Sequence, residues 1–167
     1  MHIKYEVTLT KLLFTDGSVD HQSKTGYGAF LFVDESELNN PDLKNDIQIK
    51  EFKNTSSTQL ELETLLWALS QIPNERADLV VYTDSQNIIN LPGRRDRLEK
   101  HGFMSGKNVL LKHHELYKRF YKQIDELHFT LVKLKGHMRS IKRNEKDQLF
   151  SLVDKATRKA LKDSKNN

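Results

Sequence analysis

The spacing of apolar residues changes along this chain from strand-like to helical and back, and that order of periods restricts the folds open to it. From Lys4 to Thr15, apolar residues alternate at Tyr5, Val7 and Leu9 and then run together as Leu12, Leu13 and Phe14, the pattern of a strand first half exposed and then buried. Asp16-Gly17-Ser18 is turn chemistry, and Gly26 to Val33 reads as a second strand reached through a polar connection, so the two form an antiparallel hairpin. Residues 34–46, rich in Asp, Glu and Asn, read as a loop. Ile47, Ile49 and Phe52 then supply a third strand, which completes a meander.

The period then lengthens. Leu62, Leu65, Leu66, Leu69 and Ile72 recur at helical spacing, with Ser57 or Thr58 available as N-cap and Pro73 beyond the end. The unbroken block Leu79 to Tyr82 follows, and a short apolar block after a helix reads as a buried strand parallel to the first. The pattern next predicts a brief helix over Ser85–Leu91 ended by Pro92-Gly93, and a long one over Asn108–Leu127 with Leu110, His114, Tyr117, Tyr121 and Ile124 on one face. It closes with a fifth strand at Phe129, Leu131 and Leu134 and a last helix over Asn144–Leu161. This order implies an α/β (α+β mixed) sheet with helices on its faces. One domain is expected over residues 1–161, followed by a polar, frayed tail over 162–167.

Composition removes several function classes. With 37% hydrophobic and 30% charged residues the chain is neither disordered nor membrane-spanning. The absence of cysteine removes disulfides, thiolate metal sites and cysteine nucleophiles, and fits a reducing cytoplasm. No secretory signal pattern opens the chain. Net charge is only +4, but it is uneven: Arg94 to Lys146 holds fifteen Lys and Arg against six Asp and Glu. Such a half suits a polyanion, or else is a solvated helical surface.

Four acids stand out by their settings. Asp16 and Asp84 each end an apolar strand pattern at a turn, and ligand sites in open sheets lie at the carboxyl ends of their strands. Glu61 falls near the start of the helix between those strands, and Asp154 falls on the last helix. Brought together they would form an all-oxygen site for a hard cation. Each also has a purely structural reading: Asp16 in an Asp-Gly turn, Glu61 as the last member of a capping box begun by Thr58, Asp84 as an N-cap, and Asp154 as an exposed helix acid.

The motifs Phe-Thr-Asp16-Gly-Ser, Thr55-Ser-Ser-Thr-Gln-Leu-Glu61-Leu, Tyr-Thr-Asp84-Ser-Gln86, Lys135-Gly-His137 and Val-Asp154-Lys-Ala-Thr-Arg-Lys-Ala resemble, in order, those of the ribonuclease H type 1 family, over residues from about 5 to 160. The resemblance implies a ribonuclease H-like fold with a five-stranded mixed sheet flanked by helices. It implies cleavage of the RNA strand of an RNA/DNA hybrid to 5′-phosphate and 3′-hydroxyl ends, with two Mg²⁺ (or Mn²⁺) ions held by Asp16, Glu61, Asp84 and Asp154. His137 is implied as the mobile proton-transfer group. Asp147, ten residues after His137, sits at the family's common spacing for the last ligand, whereas the sequence around Asp154 matches the family's final helix. Asp154 is preferred and Asp147 stays open.

By the same resemblance Gly17, Ser18, Glu61 and Gln86 would touch RNA, while Ser56, Ser57 and Thr58 would face the DNA strand. Arg94, Arg95, Arg97 and Lys100, then Lys112, Arg119 and Lys122, would correspond to the family's hybrid-gripping protrusion, here short and without a Trp-rich helix. The expected protein is a cytoplasmic monomer with no membrane contact and no obligate protein partner, and with Met1 at its start the chain reads as free-standing. Two alternatives are a non-catalytic hybrid-binding module and another nuclease of the ribonuclease H-like superfamily.

Overall fold

Alternation and continuity of apolar residues set the layers of the computed structural model, which describes residues 9–74, 77–135 and 144–166. Strands β1 (Thr10–Asp20), β2 (Thr25–Asp34) and β3 (Gln48–Phe52) form an antiparallel meander. Helix α1 (Ser57–Gln71) then crosses over to β4 (Asp78–Thr83), which lies parallel to β1. After α2 (Gln86–Lys100) and α3 (His114–Leu127) comes β5 (Thr130–Lys133), parallel to β4, and α4 (Glu145–Lys165) closes the order. Among the described residues one mixed sheet of five strands results, ordered β3-β2-β1-β4-β5.

Side chains two apart on a strand share a face, so β1 splits its residues between two cores. Leu13 joins Phe30, Val81 and the apolar sides of α1, α2 and α3. Leu12 and Phe14 turn the other way, to Ala29, Leu31, Tyr82 and the Leu149, Phe150 and Val153 side of α4. Covered on both faces, the centre of β1 is a continuous apolar run.

The sequence expectations hold for element order and fail at several boundaries. Asp16-Gly17-Ser18 is not a turn: β1 stays paired with β2 from Lys11 opposite Asp34 to Asp20 opposite Thr25, and the chain reverses at 21–24. Residues 35–37 and 41–46, expected as loop, form two 3-10 turns, the second of which buries Leu43. Pro92-Gly93 does not end α2, which runs on to Lys100. Proline removes one N–H from the helix ladder, but Leu91 and Leu98 on either side of it are buried, and the Tyr121 hydroxyl donates to the Leu91 carbonyl at 2.8 Å. Burial outweighs the lost bond.

Helix α3 begins at His114, not near Asn108. Asn108 has φ 56°, in the left-handed region, inside a small turn closed by Ser105 N–H donating to the Val109 carbonyl at 2.8 Å. Leu110 is therefore half exposed rather than on the buried face. The supposed tail is also helical as far as Lys165, whose ammonium pairs with Asp20 at 3.1 Å.

Glycines fix how closely α1 meets the sheet. A Cβ on Gly28 would lie 2.1 Å from Thr64 Oγ1, and one on Gly17 would lie 2.9 Å from Leu60. Gly28→Ala is expected to cost about 1–3 kcal/mol by forcing α1 off the strands. The loss would appear as a lower Tm, with reduced activity as Glu61 moves with the helix.

Candidate active site

Parallel pairing of β1 with β4 is what makes distant acids neighbours. Phe14 stands opposite Tyr82, and their rings stack at 4.9 Å and 14° on the α4 side of the sheet. Asp16 lies two residues beyond Phe14, and Asp84 two beyond Tyr82. Pairing between these strands ends at Phe14 and Tyr82, so both acids come just past it, at the same end of the sheet.

Asp16 is pushed up to about 8, first by burial, then by the Asp84 charge. The Gly17 backbone N–H opposes the shift, and Asp154 adds to it through a hydrogen bond and its charge. Glu61 is also raised, first by burial; the Ser85 hydroxyl works against this and Asp84 adds to it. The four carboxylates thus act on one another in pairs, Asp16 with Asp84 and with Asp154, and Glu61 with Asp84.

Local structure explains how each is held. Glu61 is the fifth residue of α1, whose N-cap is Ser56, so it lies too far along for the capping box expected from Thr58. Its Oε2 instead accepts the Ser85 hydroxyl at 2.5 Å. Ser85, not Asp84, is the N-cap of α2 and also accepts from Ile88 N–H at 3.3 Å. Asp154 Oδ1 accepts from Arg158 Nε at 2.9 Å, one helical turn on. Helix α4 is pinned to β1 beside it by Ser18 Oγ and Thr157 Oγ1 at 3.0 Å.

Asp147 has another task. It is the N3 residue of the capping box that starts α4: its Oδ2 accepts from Asn144 N–H at 3.1 Å while its own N–H donates to Asn144 Oδ1 at 2.8 Å. The structure brings Asp154, and not Asp147, to Asp16. His137 lies outside the described residues.

Among the described residues no three Asp, Glu or His side chains are already gathered as metal ligands. Two of the four acids are instead held by neighbours, Glu61 by Ser85 and Asp154 by Arg158. The donor set nevertheless fits a divalent cation. It is all oxygen, and a cation among these groups would relieve the charge that drives Asp16 toward its neutral form.

The other expected site residues fall into separate groups. Gly17, Ser18, Ser57 and Glu61 line one open depression of about 520 Å³. The Ser56 hydroxyl is not used in capping, and Thr58 is exposed in the first turn of α1. Gln86 donates to Asn90 Oδ1 at 2.8 Å and accepts from Lys133. Of the basic residues, Arg97, Lys100, Lys112 and Arg119 are exposed, Lys122 lies 3.8 Å from Glu126, and Arg94 packs over the Tyr117 ring.

Arg95 departs from expectation. Its fork donates to both oxygens of Asp125 at 2.6 and 2.8 Å and its Nε to Glu99 at 2.8 Å, over the Tyr121 ring, so it ties α2 to α3. Sequence reasoning did not single out His21, Lys162 and Lys165, which line the same depression as Gly17, and placed Arg158 only within a motif. The three- and four-residue spacing of Asp154, Arg158, Lys162 and Lys165 is the signal that puts them on one helix face.

A family model described as RNase H matches residues 9–161. The fold is shared with the foamy viral protease-reverse transcriptase in complex with dsDNA, at TM-score 0.63 and 10% identity, over 94% of this chain and 98% of that one. A second structure, of the foamy viral protease-reverse transcriptase in complex with an RNA/DNA hybrid, matches at TM-score 0.64 and 12% identity, over 91% of this chain and 20% of that one. The solution structure of the PFV RNase H domain matches at TM-score 0.66 and 17% identity, over 91% and 94% of the two chains. At these identities the likeness is one of fold. No curated protein matches the chain, and among the described residues no helix is long and apolar enough to cross a membrane.

Proposed function

The chain belongs to the RNase H family, and on that premise we propose that it is a metal-dependent endoribonuclease that hydrolyses the RNA strand of RNA/DNA hybrids. The observation that carries this reading is the meeting of Asp16, Glu61, Asp84 and Asp154 at one end of the sheet, where Asp84 and Asp154 add to the raised proton affinity of Asp16, and Asp84 to that of Glu61. A hybrid-bound structural neighbour supports the choice of substrate.

Asp16, Glu61, Asp84 and Asp154 would hold Mg²⁺ or Mn²⁺, two ions per site. When bound, the ions supply charge neutralisation at the phosphate and acidify water. The chain's own residues orient what reacts. Ser85 fixes Glu61, and Arg158 steadies Asp154. Gly17, Ser18 and Gln86 face the ribose side, where a 2′-hydroxyl separates RNA from DNA. Ser56 and Thr58 face the DNA strand, Ser57 lies in the lining of the depression beside Gly17 rather than wholly on the DNA side, and Arg94, Arg97, Lys112, Arg119 and Lys122 supply distant phosphate contacts. His137 takes the proton-transfer role. Water oxygen bonds to phosphorus as the bond to the 3′-oxygen breaks; the water gives up a proton and the 3′-oxygen gains one. The products are a 5′-phosphate and a 3′-hydroxyl. The reading includes a monomer working in the cytoplasm.

The test is incubation with Mg²⁺ or Mn²⁺ and labelled hybrid, duplex DNA, duplex RNA and single strands. Internal cuts confined to the RNA of the hybrid are expected. Binding of hybrid without any cut would make the chain a non-catalytic hybrid-binding module, and cutting of DNA or from an end would make it another nuclease of the fold.

A further inference from the structure

Beside the carboxylates the charge changes sign. The depression lined by Gly17 and Glu61 is lined from α4 by Arg158, Lys162 and Lys165, and His21 from the β1–β2 reversal also belongs to its lining. Its volume, about 520 Å³, is in the range of sites that enclose small ligands. Positions 158, 162 and 165 are four and three apart, so α4, which runs on past the end of the family match at 161, presents them as one row.

That row has a plain structural reading, because cations in a last turn favour the helix dipole. Two pairings agree with it: Arg158 with Asp154 at 2.9 Å and Lys165 with Asp20 at 3.1 Å. Lys162 does not, since it makes no ion pair with a described residue and yet lines the depression. The lining from β1 and α1 is also not neutral scaffold. Glu61 and Gly17 belong to the end of the sheet where the reacting phosphate would sit.

Resting on the reading above, we infer that this depression holds the backbone of the RNA strand on one side of the scissile phosphate, with Lys162 and Lys165 as phosphate-positioning residues. A strand whose reacting phosphate lies at the acids passes directly into the depression, because the two share Glu61 as a wall. Phosphates there meet ammonium groups at the spacing of helical turns. The last turns of α4 are then substrate surface rather than a tail.

The experiment uses the full chain with Lys162→Ala, Lys165→Ala, the double variant, Lys162→Arg and, as an exposed control on another surface, Lys44→Ala. Each lysine loss is expected to raise KM for hybrid about 3- to 10-fold with kcat within twofold, and the double variant to flatten the slope of log affinity against log salt by about 2. Lys162→Arg and Lys44→Ala should match wild type. Melting curves show whether losing the Asp20 pair in Lys165→Ala alters the fold, and Lys162→Ala has no such pair to lose.

Two further hybrids locate the contact, each with its RNA shortened to one nucleotide beyond the cut on one side or the other. Wild type should weaken on one of them, and the double variant should weaken no further on that one. Unchanged KM and salt slope, or equal losses on both shortened hybrids, overturns the inference while leaving the nuclease reading intact. If wild type binds hybrid without cutting, the nuclease reading fails alone and the same binding and salt comparisons decide this one.

Discussion

Asp16→Asn is expected to abolish hybrid cleavage and, in metal-free buffer at pH 8, to raise the melting temperature. Both effects come from one carboxylate. In the fold Asp16 is held up to about 8 by burial, by Asp84 and by Asp154, whereas in the unfolded chain it ionises near 3.9. Between about pH 4 and 8 the native protein therefore keeps a proton that the unfolded chain has lost, and its stability falls as pH rises across that window. An amide resembles the protonated acid and escapes this loss. At pH 8 the difference between these two values bounds the gain at about 5 kcal/mol, and even about 2 kcal/mol of it is on the order of 5 °C for a domain of this size.

Metal reverses the comparison. A cation that binds the native carboxylates and not the unfolded chain stabilises in proportion to the logarithm of its concentration over its Kd. Millimolar Mg²⁺ or Mn²⁺ should therefore raise the wild-type Tm and flatten its decline toward pH 8, and should leave Asp16→Asn nearly unmoved. A wild-type melting curve indifferent to both ions and pH would show that the acids are not coupled in solution.

The second large effect separates two acids seven residues apart. Asp154→Asn should lose nearly all activity, about a thousandfold or more if transition-state charge is being met at this position, with the fold intact. Asp147→Asn should keep most activity and cost about 0.5 kcal/mol by weakening the start of α4, where it now serves the helix N-terminus. Single-turnover cleavage alongside thermal melts of both variants distinguishes the cases. Loss of activity in Asp147→Asn with Asp154→Asn active would reassign the last ligand.

How much of this was legible beforehand depended on whether the signal was local. Strand order, the crossover helix and the buried β4 follow from apolar period, because burial of one face or both leaves its mark on neighbouring residues. Boundaries did not follow. Pro92 reads as a helix stop, and only the packing of Leu91 and Leu98 and the Arg95 bridge to Asp125 keep α2 going to Lys100. Leu110 reads as core, and only the turn at Asn108 sends it to solvent. Asp16-Gly17 reads as a turn, and only pairing with β2 makes it strand.

The amino-acid order alone determined which acids are candidates, since Asp16 and Asp84 follow apolar runs and Glu61 and Asp154 lie on helical patterns. It could not choose between a ligand and a cap. What tertiary structure decided is which acids meet and which cap: β1 and β4 bring Asp16 and Asp84 to the same end of the sheet, Ser85 takes the cap of α2 and receives Glu61, and Asn144 claims Asp147 for the start of α4. The reason is range. Capping and periodicity act within a turn or two of the chain, whereas repulsion among carboxylates depends on distance through space, which only the folded sheet sets.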